Sequence, residues 1–265
     1  MLHFRTYAQM QMVVLRKLLP KVPRTIDAIV GVPRAGLIPA AMLSAALHKP
    51  MLTGLQTGHP QELPHAPRIL IVSDVVETGY RIGELAKTFF PEPVRAAVYV
   101  HNRAVNKVDV FGETVRSPAV FEWTLFSSEF TQQALFGFDG IFCEPVQTMP
   151  DDTPEYGAAI GAATPKYHTA YAVNVCTNRL VRWRHATMRW CAAQRLQLKN
   201  LWMQPYQTAQ ARAEEGLKPA EFKAHIALEH NFQYVVESDR EQAIRIAKIT
   251  GLDVICTSSM EHFLF

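Results

Sequence analysis

Arg68 to Ile82 reads RILIVSDVVETGYRI. Ile69, Leu70, Ile71 and Val72 run without polar alternation, which predicts a strand buried on both faces. Asp74 closes that strand. Glu77-Thr78-Gly79-Tyr80-Arg81 makes a short turn, and Ile82-Gly83-Glu84-Leu85-Ala86-Lys87 carries a helical pattern. In such an arrangement backbone N–H groups and the positive end of the helix dipole face the turn, which makes it an anion cradle. The ligand it suits is a sugar phosphate, with the acid on ribose hydroxyls or on a metal ion. The plain alternative is a buried strand and turn of an ordinary α/β domain.

A second motif lies about forty residues upstream. Asp27 to Ala41 reads DAIVGVPRAGLIPAA, again an apolar strand, a glycine-containing turn and a helix start. Small residues around Arg34 let the backbone approach a ligand, and the Arg34 guanidinium can fork onto a pyrophosphate. Pro33 fixes one φ of the turn. Between the motifs, Met51 to Pro67 is punctuated by Gly54, Gly58, Pro60, Pro64 and Pro67. Loops of this length are functional or disordered.

At these residues the chain resembles the type I phosphoribosyltransferases. Their ribose-phosphate loop is an aliphatic strand, two acids, two apolar residues, then acid-Thr-Gly. Val72 to Gly79 fits that pattern, except that Ser73 stands where the first acid is usual, and Arg81 stands where a Thr commonly closes the loop. The resemblance implies binding of phosphoribosyl pyrophosphate with Mg2+. Asp74 would hold the ribose hydroxyls and a metal, Glu77 would sit near the reacting carbon, and Arg34 would grip the pyrophosphate. Val76, Thr78, Gly79, Tyr80 and Arg81 would hold the 5′-phosphate, with Pro33, Ala35 and Gly36 forming the pyrophosphate loop. The segment at 51–67 would be the family's flap. Lys107, in Lys107-Val108-Asp109, and Trp123 would hold and stack on a purine-like base, since an ammonium donates to a carbonyl oxygen and an indole offers a flat face. The competing reading of these two is a surface lysine and a core tryptophan.

The second half carries other signals. Gln133 to Phe136 predicts a strand, followed by Gly137-Phe138-Asp139-Gly140. This resembles the first motif of haloacid-dehalogenase-type phosphatases, apolar-Asp-x-Asp-Gly, with Gly137 in place of the nucleophile. Glycine cannot attack phosphorus, so no phospho-aspartyl intermediate forms there. The resemblance places Thr177 as the phosphate-binding hydroxyl, Lys223 as the third-motif lysine, and Glu237 and Asp239 as fourth-motif acids, with a metal on Asp139 and Asp239. Ordinary strand-end polarity is the alternative. Glu241 to Ile249 shows helical apolar spacing ended by Gly251.

The expected fold is α/β: two three-layer domains with mainly parallel sheets. A type I phosphoribosyltransferase fold over 1–128 is followed by a haloacid-dehalogenase-like Rossmannoid fold over 129–265. Strand-end ligands are expected at the carboxyl edge of such sheets. The function implied is phosphoribosyl transfer to or from a purine-like base. A catalytically inactive nucleotide sensor, or a component of a larger assembly, is the first alternative. A phosphatase, should Gly137 replace an aspartate, is the second.

Bulk properties narrow the classes. The chain has 265 residues, 48% hydrophobic and 19% charged, enough for two modest domains. A net charge of +3 does not by itself argue for nucleic acid. Arg179, Arg182, Arg184, His185, Arg189 and Arg195, interleaved with Trp183 and Trp190, read as a solvated basic face or a site for an anionic partner such as nucleic acid or a nucleotide. Cys143, Cys176, Cys191 and Cys256 show no metal spacing and suit reduced thiols in a cytoplasmic protein. No signal-peptide pattern opens the chain, and no apolar run is long enough to span a bilayer. Oligomeric partners, a homodimer among them, enter only through the resemblance. The stretch from Pro145 to Pro165 is expected to be a surface loop or small cap.

Overall fold

The computed structural model describes residues 2–52, 65–146, 150–216 and 218–265. Most of the expected flap at 51–67 lies outside them. The chain divides into two compact units, Leu2–Trp123 and Thr124–Phe265.

In the first unit, β1 (His3–Arg5) leads into α1 (Tyr7–Val13), which continues as a wider turn over Val14–Leu18. Thr6 caps α1 reciprocally with Gln9, satisfying two amides the helix start would otherwise leave open. There follow β2 (Ala28–Gly31), α2 (Leu37–Leu47), β3 (Met51–Leu52), β4 (Ile69–Val76), α3 (Tyr80–Ala86), β5 (Val94–His101), β6 (Val110–Val115) and β7 (Ala119–Phe121). A five-stranded parallel sheet has the order β3-β2-β4-β5-β6, and β1 pairs with β7 in a separate parallel pair.

The aliphatic run in β4 explains the layering. Leu70 and Val72 join one apolar cluster with Leu43 of α2 and Val14 and Leu18 beyond α1. Ile69 and Ile71 join another with Ile82 of α3. Alternate side chains therefore face opposite layers, and each contributes about 1.5–3 kcal/mol of burial. A half-polar strand could not hold the centre of this sheet.

The second unit contains β8 (Ala134–Phe136), α4 (Pro154–Ala162), β9 (Val173–Leu180), α5 (Arg184–Ala193), β10 (Leu198–Gln204), α6 (Ala209–Glu215), α7 (Pro219–Glu229), β11 (Tyr234–Glu237), α8 (Arg240–Thr250), β12 (Asp253–Cys256) and β13 (Glu261–Phe263). Its six strands run β10-β9-β8-β11-β12-β13, parallel except for the last pair. Leu135, Val235 and Val254 pack on α7 and α8. On the other side of β8, Phe136 meets Phe126 and Phe142. The segment expected to be a loop or cap over 145–165 contains α4, begun by the Thr153 cap on Tyr156 and by Pro154. Alanine- and glycine-rich Pro154–Ala162 shows little amphipathic pattern, so its helix is set by that cap and by packing on α5.

Candidate functional site

The two loops of the first unit leave neighbouring strands at the same edge. Gly31 of β2 pairs with Val72 of β4, and the Val32 amide continues the pairing by donating to the Val72 carbonyl at 2.8 Å. The loop then folds tightly on itself. A Cβ on Gly36 would lie 2.6 Å from the Val32 oxygen and 2.7 Å from the Val72 oxygen, so no larger residue fits. The Pro33–Arg34 peptide is cis. Pro33 and Arg34 are exposed, and Ala35 is half-buried. Arg34 forms no ion pair among the described residues, which leaves its fork available to an anion.

β4 runs two residues further than the sequence pattern suggests. Val75 and Val76 pair with Tyr99 and Val100, so Asp74 lies inside the strand rather than closing it. Ser73 is buried, and its hydroxyl donates to the Val75 carbonyl at 2.9 Å. Asp74 is half-buried and accepts a 2.7 Å hydrogen bond from Trp123 Nε1. Burial pushes the Asp74 carboxyl above its ordinary range, and the indole donor pulls the other way. Trp123 is itself set among Tyr7, Tyr99 and Phe121, with ring centroids 5.7, 6.3 and 5.0 Å away.

Beyond β4, Glu77, Thr78, Tyr80 and Arg81 are exposed. Gly79 takes φ +82°, a left-handed conformation that favours glycine. A Cβ there would also strike Lys107, 2.6 Å from its Cβ and 2.7 Å from its Cγ. Thr78 Oγ1 accepts from the Tyr80 amide at 3.4 Å, and Arg103 Nε donates to the Glu77 carbonyl at 3.3 Å. The structure thus brings Lys107 against the turn and Trp123 onto Asp74. Lys107 is exposed, whereas Trp123 is half-buried and committed to a carboxylate. Sequence reasoning paired neither contact.

The second unit's residues also gather at a carboxyl edge, but they satisfy one another. Lys223 Nζ donates to Glu237 Oε2 at 2.5 Å, both groups being buried, and to Gln242 Oε1 at 3.1 Å. The other Glu237 oxygen accepts from the amides of Ser238 and Asp239 at 2.8 and 3.2 Å. A Cβ on Gly137 would meet the two Glu237 oxygens at 3.1 and 3.3 Å. A side chain at position 137 would therefore be faced by a fixed carboxylate. An aspartate at 137 would set like charges together.

Asp139 faces Arg179, which donates from Nη2 to Oδ1 at 2.6 Å and from Nε to both oxygens at 3.2 and 3.1 Å. Arg179 is only 1% exposed and also lies over the Phe138 ring at 4.4 Å. Expected as part of a basic face, it is instead a buried partner of Asp139. The signal was available: Thr177 and Arg179 sit two apart in a strand, so they share a face. Thr177 is buried, and its hydroxyl donates to Asp139 Oδ2 at 3.4 Å. Asp239 caps α8 by accepting from the Gln242 amide at 2.9 Å.

These contacts bear on the Mg2+ expected in the second unit. Among the described residues no group of three His, Cys, Asp or Glu side chains could hold an ion. Asp139 has a guanidinium on both oxygens, and Asp239 is spent on a helix cap. Neither fits the Mg2+ expected there. Asp74 and Glu77 form no ion pair among the described residues, so in the first unit a cation carried by a ligand's own diphosphate is compatible with them. The Cys143 thiol, beside Asp139, is pushed up to about 12 by burial and that carboxylate. All four cysteines are buried and free, and no helix among the described residues is long and apolar enough to cross a membrane.

No family model matches this sequence, and no curated protein matches it. Solved structures do resemble it over about half its length. A purine phosphoribosyltransferase from Pyrococcus horikoshii is 26% identical, covering 46% of this chain and 93% of its own, with a TM-score of 0.37. The xanthine-guanine-hypoxanthine phosphoribosyltransferase of Helicobacter pylori is 20% identical over 46% and 93%, at 0.38. Orotate phosphoribosyltransferase from Aeropyrum pernix is 22% identical over 41% and 71%, at 0.30.

Proposed function

We propose that the first unit binds phosphoribosyl pyrophosphate and transfers its phosphoribosyl group to a purine-like base. The observation that carries this reading is the meeting, at one edge of a parallel sheet, of a Glu77–Arg81 turn with exposed Glu77, Thr78, Tyr80 and Arg81, a half-buried Asp74, and an Arg34 without an ion pair among the described residues. In this reading Val76, Thr78, Gly79, Tyr80 and Arg81 hold the 5′-phosphate, and Asp74 holds the ribose hydroxyls. Pro33 to Gly36 carry the diphosphate, with Arg34 as its counter-charge. Lys107, packed against Gly79, reaches the base's carbonyl oxygen. Trp123 is a positioning residue whose indole fixes Asp74.

In the reaction the bond from the ribose anomeric carbon to the diphosphate oxygen breaks and a bond to a base nitrogen forms. The leaving diphosphate takes the electron pair, and the base nitrogen gives up its proton to solvent. Glu77 stabilises the positive charge on the sugar, while Arg34 stabilises the negative charge on the leaving group. The protein otherwise holds the partners in line. Magnesium, when bound with the diphosphate, would neutralise part of its charge beside Asp74 and Glu77.

The second unit is read in the same proposal as a haloacid-dehalogenase-like domain without phosphatase chemistry. The Gly137–Glu237 approach and the Arg179–Asp139 pair support this. A second reading, ligand binding without turnover, is favoured by Ser73, whose hydroxyl is spent on the Val75 carbonyl where an acid is usual. One experiment separates the two: calorimetric titration with phosphoribosyl pyrophosphate and Mg2+, then pyrophosphate release across a panel of purine and pyrimidine bases. Binding with release from at least one 6-oxopurine is the expected result. Binding without release supports the second reading, and no binding removes both.

A further inference from the structure

We propose that the second unit carries a nucleotide site at the amino-terminal edge of its sheet, opposite the edge that holds Asp139 and Glu237. Gln133 and Gln233 directly precede β8 and β11, while Asn174 and Lys199 are the second residues of β9 and β10. They line a cleft of about 420 Å3, a volume within the range of small-molecule sites. None of its lining residues is acidic, and most are carboxamides.

A carboxamide presents a donor and an acceptor side by side, which matches the edge of a nucleobase. Two of them are already oriented. Asn200 Nδ2 donates to Asn174 Oδ1 at 2.8 Å, which leaves the Asn174 amino group as donor and the Asn200 carbonyl as acceptor. Asn174 is 3% exposed, so its amide is held rather than loose. Trp202 supplies a ring at the same cleft, fixed by His230 at 4.6 Å and by Phe232 edge-on at 5.7 Å. Aromatic rings beside base-edge amides are how proteins hold an unpaired base.

A second chamber of about 310 Å3 adjoins the first across the edge strand β10, sharing Lys199, Asn200 and Trp202. It adds Arg184, whose guanidinium is anchored on the Leu201 carbonyl at 2.9 Å. Neither Lys199 nor Arg184 has an acidic partner among the described residues. A sugar would use the amide chamber but not these cations, and a bare anion would use the cations but not the amides. A base with a phosphate attached uses both. The basic stretch of the sequence thus divides: Arg179 is internal, and Arg184 belongs to this groove. A free nucleotide and one unit of a single strand share this chemistry.

The test uses the full chain, titrated with the four 5′-ribonucleoside monophosphates and with fluorescent octauridylate and octaadenylate. Hydrogen exchange of the wild type is followed at 198–203 and 230–233. Exposed Lys199→Glu and Asn200→Asp should each weaken binding about tenfold, because each sets a negative charge against the ligand. Wild-type binding should also slow exchange in those two segments. Monophosphates that behave this way identify a free nucleotide as the ligand, and oligonucleotides alone identify a strand. No binding up to about 1 mM overturns the proposal. So does binding that neither variant weakens and that slows exchange only around 74–81, which would report the first unit's turn instead.

Discussion

Trp123 and Asp74 show how one side chain tunes another. Burial raises the Asp74 carboxyl, and the Trp123 donor opposes that rise. Trp123→Phe removes the donor, so Asp74 should titrate at still higher pH, as carboxyl-carbon NMR would record. The sign for stability follows. The folded state holds the Asp74 proton more tightly than the unfolded state does. The contribution of protonated Asp74 is therefore fully present below the ordinary carboxylate range and is lost as pH rises from there through its raised value. An Asp74→Asn variant should lose that segment of the pH–stability curve; an unchanged curve would clear Asp74 of the effect. Gly79 is equally specific. Gly79→Val would place a β-branched residue at φ +82° and drive it into Lys107. It should cost about 1–3 kcal/mol in denaturant unfolding and reduce phosphoribosyl pyrophosphate affinity more than tenfold.

Strands and turns were legible to different depths. β4 could be read because four adjacent aliphatics leave no face for water. The extension of β4 past Ser73 and Asp74, through Val75 and Val76, was hidden. Polar residues at a strand end look like a turn until the neighbouring strand, here β5, is known to pair with them. Gly137 gives no hint in the sequence that Glu237 faces the space a side chain there would need. β9 makes the same point, since Arg179 looks like surface charge in a list and becomes an internal cation only when Asp139 is placed across from it. Arg179→Met should destabilise the second unit by about 3 kcal/mol, because it strands a carboxylate. Gly137→Asp should destabilise it by about 2 kcal/mol or more and yield no phosphomonoesterase activity. A gain of phosphatase activity in the latter would contradict the account of Glu237.

At the scale of the whole chain, two compact units meet in sequence at Trp123 and Thr124. One presents an open turn with exposed acidic, hydroxyl and basic groups, and the other has folded its corresponding charges into the pairs Asp139–Arg179 and Glu237–Lys223. Ligand chemistry at those edges is therefore assigned to the first unit, and the second unit's variants should leave phosphoribosyl pyrophosphate affinity within about twofold of wild type, since residues that share no partner act additively. The most direct test is a crystal structure of the full chain grown with phosphoribosyl pyrophosphate and Mg2+. The account predicts the 5′-phosphate seated on the backbone of Thr78 to Arg81, with the ribose hydroxyls toward Asp74. Density for the ligand elsewhere, with that turn closed by the protein's own side chains, would contradict it.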